Sequence, residues 1–377
     1  GTIMDKLISL SLPLILSGIL QMMFNAVDII VVGRFSGSQA LAAVGSTSAL
    51  INVFTNLFIG ISLGANVLTA RFYAAGREKE VSETVHTAIT LALVSGIVMA
   101  LVGLVFSKGA LALMGTPDDV IGLSALYMRI YFLGMPFFML YNYGAAILRA
   151  VGDTKRPLLF LMIAGVINAC LNMVLVIVFK LGVAGVAIAT VISQMISCVL
   201  VLRCLCRSES SYRLRFSELG MKGYYLKQIF SVGVPAGIQS TVINFSNVLL
   251  QSSVNSFGST AMAGYTAANN LLGFLYVSVN SITQACMSFT SQNYGVGKLK
   301  RMDRVLADCM ILSVVVAVVL GCICYGFGPE ILQIYTEDAE VIACGMEILA
   351  YTTITYFLCG WMDLFPGALR GMGYSAV

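Results

Sequence analysis

Long apolar segments separated by short polar breaks run through the whole chain. Each segment is close to the roughly 20 residues that an α-helix needs to cross the hydrocarbon core of a bilayer. The breaks collect the charged residues together with Gly and Pro, which are typical of helix ends and turns. The pattern predicts ten spanning helices, over residues 8–33, 45–70, 86–107, 121–147, 157–179, 183–203, 229–256, 266–290, 306–328 and 341–368.

Composition agrees with this pattern. The chain has 377 residues, of which 58% are hydrophobic and 11% are charged, and its mean hydropathy is +0.91. Soluble domains carry about 25% charged residues, so the sequence indicates an all-α integral membrane protein. The net charge of +4 does not indicate a nucleic-acid partner, because the basic residues lie in short loops between the apolar segments.

The distribution of Lys and Arg predicts the orientation. If the N-terminus is cytoplasmic, 18 of the 22 basic residues fall in inner loops and three fall in outer loops. Positive charge is concentrated on the cytoplasmic side of membrane proteins. We therefore expect a multi-pass protein of the cell membrane with a cytoplasmic N-terminus, in contact with membrane lipid. No cleavable signal peptide is visible.

Two loop motifs recur at a constant separation. Leu148–Gly152 reads Leu-Arg-Ala-Val-Gly and returns 221 residues later as Leu-Arg-Gly-Met-Gly at Leu369–Gly373. Arg71–Gly76 corresponds to Gln292–Gly297 at the same separation. Internal repeats of this length are typical of transporters. An even number of helices in each copy makes the two repeats parallel.

The repeat predicts the domain organisation. We expect an N-terminal lobe of six helices over residues 1–203, a basic cytoplasmic linker over 204–228, and a C-terminal lobe over 229–377 that contains only four helices. The missing counterparts of the fifth and sixth helices would follow the last residue. We therefore expect this chain to be a fragment of a twelve-helix protein whose two lobes surround a central cavity.

One carboxylate lies deep in the first predicted helix. Asp28 shares a helical face with Asn25 and Gln21, at i−3 and i−7. An acid inside a spanning helix costs about 2.5–3.5 kcal/mol on insertion scales, and such residues face the protein interior or a water-filled cavity. The pattern favours an ion or solute pathway lined by Asp28. The alternative is an acid whose hydrogen bonds to neighbouring helices are purely structural.

Several classes of chemistry are not supported. The chain has a single histidine, His86, and no Cys-x-x-Cys pair, so neither a zinc site nor a disulfide framework is indicated. We expect His86, which follows an inner loop, to be a surface residue at the membrane interface. No phosphate-binding Gly-x-x-x-x-Gly-Lys motif is present, so ATP drive is not indicated. An intramembrane enzyme would need a nucleophile–base pair or a metal cluster, and the sequence does not predict an enzyme or a cofactor.

Four segments together resemble one transporter family. Val32–Gly45, Leu148–Pro157, Ser291–Gly295 and Leu369–Gly371 are similar, in order and spacing, to loop motifs of the multidrug and toxic compound extrusion (MATE) transporters. The resemblance implies a monomeric secondary antiporter with two six-helix lobes around a V-shaped cavity. Such a protein exports cationic or amphipathic organic compounds, such as drugs or toxic metabolites, in exchange for Na⁺ or H⁺.

The resemblance also implies a cation site in the N-terminal lobe. The matching positions in this chain are Asp28, Asn142, Asn168, Asn172 and Thr190. Independently of the resemblance, the spacing of Asn168 and Asn172 places both amides on one helical face. Hard oxygen ligands of this kind suit a small cation, so Na⁺ is a candidate at Asp28, Asn142, Asn168 and Asn172.

This chain departs from the family pattern at Asn172, where the family often has Asp. With one carboxylate rather than two, the site attracts a cation less strongly. Either Asp28 alone carries a proton, or the neutral oxygens support a weak Na⁺ site, and the sequence leaves both alternatives open. The family also implies that Pro13 acts as a hinge in the first helix.

The second half offers further candidates. Asp363 occupies the position that corresponds to Asn142 in the repeat, and it has either a coupling or substrate role or a structural one. Gln284, Asn244 and Asn269 are polar positions in apolar helices and could face the cavity or make packing contacts.

An alternative function within the same superfamily is a lipid-linked oligosaccharide flippase. These proteins typically carry extra basic residues in the cavity. Arg129 is the only basic residue in the interior of a predicted span, since Arg203 lies at the very end of one. This favours the antiporter.

Overall fold

In the computed structural model, residues 2–113, 116, 118–255, 259–333 and 338–375 are described, and they form helices joined by short connections, with no strand among them. The α-helices are α1 (Ile3–Phe35), α2 (Ser38–Ala74), α3 (Glu78–Leu113), α4 (Asp118–Leu133), α5 (Met135–Ala150), α6 (Lys155–Asn172), α7 (Gly182–Arg207), α8 (Gly223–Asn255), α9 (Ser259–Gly295), α10 (Leu299–Gly326), α11 (Gly328–Leu332) and α12 (Ala339–Gly371). Over the described ranges, seven helices are long and apolar enough to cross a membrane, or eight if the bent pair α4–α5 forms one span. The predicted all-α membrane protein is thereby confirmed.

The predicted spans fall on these helices, but those predicted over 229–256 and 266–290, on α8 and α9, are not among the helices that are apolar enough to cross a membrane over the described ranges. Two other spans differ in detail. The fourth span, predicted as one helix over 121–147, is broken into α4 and α5, which are inclined by 49°. Gly134 lies at the junction, and Pro136 in the first turn of α5 lacks the backbone N–H that would continue the hydrogen bonding of α4. The fifth span ends in a π-helical segment, Met173–Val178, directly after α6.

The helices confirm the internal repeat. Both ends of α9 lie 221 residues after the corresponding ends of α2. The glycine that follows each of these helices has positive φ, at 69° for Gly76 and 71° for Gly297. A left-handed residue of this kind ends a helix without strain only where no Cβ is present.

The repeat also explains the broken span. The stretch from the start of α4 to the end of α5 corresponds, at the same separation, to the single helix α12. The positions of Gly134 and Pro136 are occupied in α12 by Thr355 and Phe357, which keep the helix continuous. The break is therefore a local property of the first copy.

The chain divides into two compact units that do not follow the repeat. One unit contains Gly1–Ile19 and Gln239–Ser375, and the other contains Leu20–Ile238. The boundaries of the lobes at 203 and 229 stay a prediction, because these units are defined by packing rather than by sequence correspondence. Each unit is described by itself below.

Close helix packing in the unit Leu20–Ile238 depends on glycine. Gly60 and Gly64 of α2 face Gly233 and Gly237 of α8, each pair spaced four residues apart. A Cβ added at Gly237 would lie 2.8 Å from the carbonyl oxygen of Leu57. Small residues at this spacing allow helix backbones to approach closely in membranes, where packing rather than hydrophobic burial holds helices together.

The other unit is organised around α9. Leu7 in the first turns of α1 is fully buried with Ile282 and Cys286 of α9 and Leu364 of α12. Pro13 lies within the continuous helix α1, and the hydroxyl of Ser17 donates to its carbonyl oxygen at 2.8 Å. The hinge role of Pro13 stays a prediction.

Candidate cation site

Asn172 is the centre of a hydrogen-bonded group of polar side chains in the unit Leu20–Ile238. The last turn of α6 presents Asn168 and Asn172 on one face, and the side chain of Asn172 is fully buried. The Asn172 Nδ2 donates to Oδ1 of Asp28, which projects from α1. The same Nδ2 also donates to the Asn168 Oδ1 at 3.0 Å. Both amide protons of Asn172 are thus directed at acceptors.

The group continues onto α7. The Asn168 Nδ2 lies 3.5 Å from the hydroxyl oxygen of Thr190 and 3.4 Å from that of Ser193. These hydroxyls donate to backbone carbonyls of their own helix, Thr190 to Val186 at 3.0 Å and Ser193 to Thr190 at 2.8 Å. Each hydroxyl therefore uses its proton on the backbone and offers its lone pairs to Asn168.

One acceptor of this group is left over. The Oδ1 of Asn172 is buried and has no hydrogen-bond partner in the part of the chain that the structure describes. Leaving a buried acceptor unsatisfied costs about 1–3 kcal/mol, and such groups call for an explanation. An unpartnered oxygen beside a carboxylate is suited to receive a small cation.

Four of the five residues matched to the family's cation site are joined by hydrogen bonds in the described ranges, and the fifth, Asn142, is not. Asp28, Asn168, Asn172 and Thr190 form one continuous set of contacts. The Asn142 amide instead donates to the Phe138 carbonyl in its own helix at 2.8 Å. Within the described ranges, no hydrogen bond joins Asn142 to the other four.

The structure adds residues that sequence reasoning did not assign to the site. Ser193 belongs to the group, and Tyr127 and Tyr131 of α4 lie close enough to Asp28 to interact with its charge. The two tyrosine rings are 6.0 Å apart and inclined by 30°. The sequence held a signal for Ser193, since it lies three residues after Thr190 and therefore on the same face of α7.

The comparisons with known proteins decide the family. The chain matches the MatE family over residues 13–174 and 235–377. The chain belongs to the MatE family. The resemblance predicted from the loop motifs is confirmed.

Named relatives cover this MatE chain almost completely. A probable multidrug resistance protein, YoeA, of Bacillus subtilis is 33% identical over 370 residues, which are 96% of this chain and 80% of the relative. The multidrug export protein MepA of Staphylococcus aureus is 23% identical over 367 residues, with the same shares of the two chains. A multidrug resistance MATE family transporter of the MOP superfamily, solved in an outward-facing conformation, matches with a TM-score of 0.94. It is 20% identical, and the match covers 100% of this chain and 84% of that protein. At this identity the match establishes the fold.

The other unit of this MatE protein contains a second polar group, centred on Asp363. Asp363 interacts with the side chain of Asn280 on α9 and electrostatically with Arg370, seven residues later on α12. The Asn280 Oδ1 accepts a hydrogen bond from Gln284 at 3.3 Å. Arg370 donates to the side-chain oxygen of Gln239.

The other candidate residues of the second half differ in whether they belong to the Asp363 group. Gln284 joins the Asp363 group through Asn280. Asn244 and Asn269 have exposed side chains, and no hydrogen bond in the described ranges connects them to that group. Their predicted cavity-facing role stays untested.

His86 is buried, so the prediction that it is a surface residue is wrong. Its side chain is 4% exposed. Its Nδ1 lies 2.6 Å from the Ser82 carbonyl oxygen, and its Nε2 lies 3.1 Å from the backbone nitrogen of Arg215. Because a carbonyl can only accept, Nδ1 carries the proton and Nε2 accepts from the Arg215 N–H. His86 thus holds the segment between α7 and α8 against α3, a contact across 129 residues that hydropathy does not reveal.

Proposed function

We propose that this MatE protein is a secondary antiporter that exports cationic or amphipathic organic compounds in exchange for a cation taken up at Asp28. The supporting observation is the buried chain of hydrogen bonds from Asp28 through Asn172 and Asn168 to Thr190. The names of the relatives YoeA and MepA support the substrate class. We place the protein in the cell membrane with its N-terminus in the cytoplasm, because of the distribution of Lys and Arg.

The local charge supports a cation as the coupling species. Asp28 is the one carboxylate among the described residues of this group, and its partner Asn172 is neutral. A carboxylate away from water needs a compensating positive charge. A cation that binds and leaves provides that charge in one state of the transport cycle and removes it in another.

The orientation of the Asn172 amide favours H⁺ over Na⁺. Its Nδ2, rather than its Oδ1, is directed at Asp28. A metal cation bound to this carboxylate would lie next to the N–H group of Asn172, which repels it. A proton can instead bind to Oδ2 of Asp28 while the Asn172 amide keeps its orientation. The unpartnered Oδ1 of Asn172 is the observation that favours Na⁺ as the second candidate.

Coupling requires that the two ligands favour different states. A cation at Asp28 and a substrate cation compete for the same negative charge, so each lowers the affinity for the other. The gradient of the cation across the membrane supplies the energy for export, and the difference in affinity for the cation between the two states couples that gradient to the movement of the substrate.

The test uses the full-length protein in vesicles, with pH and Na⁺ gradients imposed separately. We expect a pH gradient to drive export of a fluorescent organic cation in the wild type, and Asp28→Asn to abolish this export while the protein still folds and inserts into the membrane. Asp119→Asn, the same change at an exposed acid in the first turn of α4, is the matched control. Gradient-driven export at the wild-type rate in Asp28→Asn would refute the proposal, and export driven by Na⁺ alone would replace H⁺ with Na⁺.

A further inference from the structure

A basic groove lies at the end of the helix pair α6–α7, outside the site described above. It has a volume of about 640 Å³ and is formed by the first turns of α6, the last turns of α7 and the residues that follow α7. We call it the α6–α7 groove, and the residues that matter for its chemistry are Arg156, Leu159, Phe160, Leu200, Arg203 and Arg207. This end of the helices is the one that the distribution of Lys and Arg predicts to be cytoplasmic.

The rim of the α6–α7 groove carries an excess of positive charge. Arg156, Arg203 and Arg207 are exposed, and they face a single lining carboxylate, that of Glu209. Arg156 is held in place by Asp153, at 3.2 Å, and by the Cys204 sulfur, at 3.4 Å. In the described ranges, neither of the two arginines on α7 forms an ion pair within 4.0 Å. Their guanidinium groups are therefore available to an external anion, and guanidinium binds phosphate in a bidentate fashion.

The floor of the groove is apolar and continues down both helices. On α6, Leu159 is followed by Ile163 and Val166 at helical spacing, and all three are exposed. On α7, Val199 lies one turn before Arg203 and is 61% exposed. Each helix thus presents a basic side chain at its end and apolar side chains on the same face towards the membrane.

We propose that the α6–α7 groove binds the headgroup of an anionic phospholipid of the cytoplasmic leaflet, with an acyl chain along the exposed apolar face. The guanidinium groups bind the phosphate of the headgroup. The apolar floor contacts the acyl chain, so the groove binds a lipid in preference to a free phosphate ion. Basic pockets between helices on the cytoplasmic side are sites of this kind. The bound lipid bridges α6 and α7, the two helices that carry Asn168, Asn172 and Thr190.

The experiment compares lipid binding to delipidated full-length protein by native mass spectrometry. The variant is Arg156→Gln/Arg203→Gln/Arg207→Gln. The matched control is Lys298→Gln/Lys300→Gln/Arg301→Gln, which removes three exposed basic residues from the connection and first turn of α10. Because the variant lacks the three guanidinium groups that bind the phosphate, we expect it to bind phosphatidylglycerol at least about tenfold more weakly, and the control to bind it as the wild type does. Equal loss in the two triple variants, or none in either, would overturn the proposal.

Two further measurements distinguish binding of a lipid from binding of a soluble anion, and one of them does not depend on the folding of the triple arginine variant. Leu159→Gln keeps every arginine, and we expect it to weaken binding of phosphatidylglycerol and leave binding of inorganic phosphate unchanged. Complete displacement of the lipid by millimolar inorganic phosphate would assign the groove to a free anion and overturn the lipid proposal. Because this variant tests the same site by an independent change, the inference remains testable if the triple arginine variant does not fold.

Discussion

The contact between Asp28 and Asn172 has a measurable energy. Replacing Asn172 by Leu keeps the volume of the side chain but removes the donor that serves both Asp28 and Asn168. In water-soluble proteins, a hydrogen bond to a charged group contributes about 1.5–3 kcal/mol and a neutral one about 0.5–1.5 kcal/mol. Between helices in a membrane the average is nearer 0.6 kcal/mol with a maximum of about 1.7, because the unfolded chain in the bilayer also finds partners. For a buried amide bound to a carboxylate we expect the upper part of the membrane range, a coupling energy of about 1–1.7 kcal/mol.

A double-mutant cycle measures this energy. The free energies of unfolding of the wild type, Asp28→Asn, Asn172→Leu and the double variant are compared by denaturant titration in mixed micelles. The matched pair is Asp28→Asn with Asn142→Leu, since the Asn142 amide donates within its own helix and the two changes should be additive. Additivity within about 0.3 kcal/mol for Asp28 and Asn172 would refute the reasoning, and so would an equal coupling in the matched pair.

Three other perturbations follow from the structure. His86→Ala leaves the backbone N–H of Arg215 without its acceptor, and we expect faster hydrogen exchange of the segment between α7 and α8, with a local cost of about 0.5–1.5 kcal/mol. Unchanged exchange would contradict the contact. Gly237→Leu forces a side chain against the backbone of α2, and we expect a loss of about 1–3 kcal/mol or more in thermal unfolding, whereas Gly122→Leu, where a side chain has open space, should leave stability unchanged. Asn172→Asp adds a second carboxylate beside the first, and we expect Na⁺ binding measured by calorimetry to become about tenfold tighter or more, so equal affinity would argue against a cation at this position.

Hydropathy located the apolar helices more accurately than it located the ends of those helices. Helix α3 begins at Glu78, eight residues before the predicted span that starts at 86, because a helix continues into water after its apolar segment stops. The break at Gly134 was foreseeable from Pro136 but was obscured by uniform hydrophobicity on both sides. The π-helical end of the fifth span depends on a change of hydrogen-bond register, for which apolar patterning carries no signal.

The candidate site was predictable where its residues lie on one helix, and less so where they meet across helices. The i, i+4 spacing placed Asn168 and Asn172 on one face, and the structure keeps them in contact at 3.0 Å. The family match placed Asn142 with them, but spacing alone could not show that its amide is used by the Phe138 carbonyl. Long-range contacts of this kind depend on how helices pack, which the order of residues does not specify.

The carboxylates of Asp28 and Asp363 differ in how their charge is compensated. Asp363 shares a helix with Arg370, whose guanidinium interacts with it electrostatically and is itself anchored on Gln239. Asp28 has only neutral hydrogen-bonding partners in the described chain. A carboxylate with a resident counter-charge has little to gain from a mobile cation, whereas one without such a partner is stabilised strongly by it. This contrast favours Asp28 as the coupling site and a structural role for Asp363.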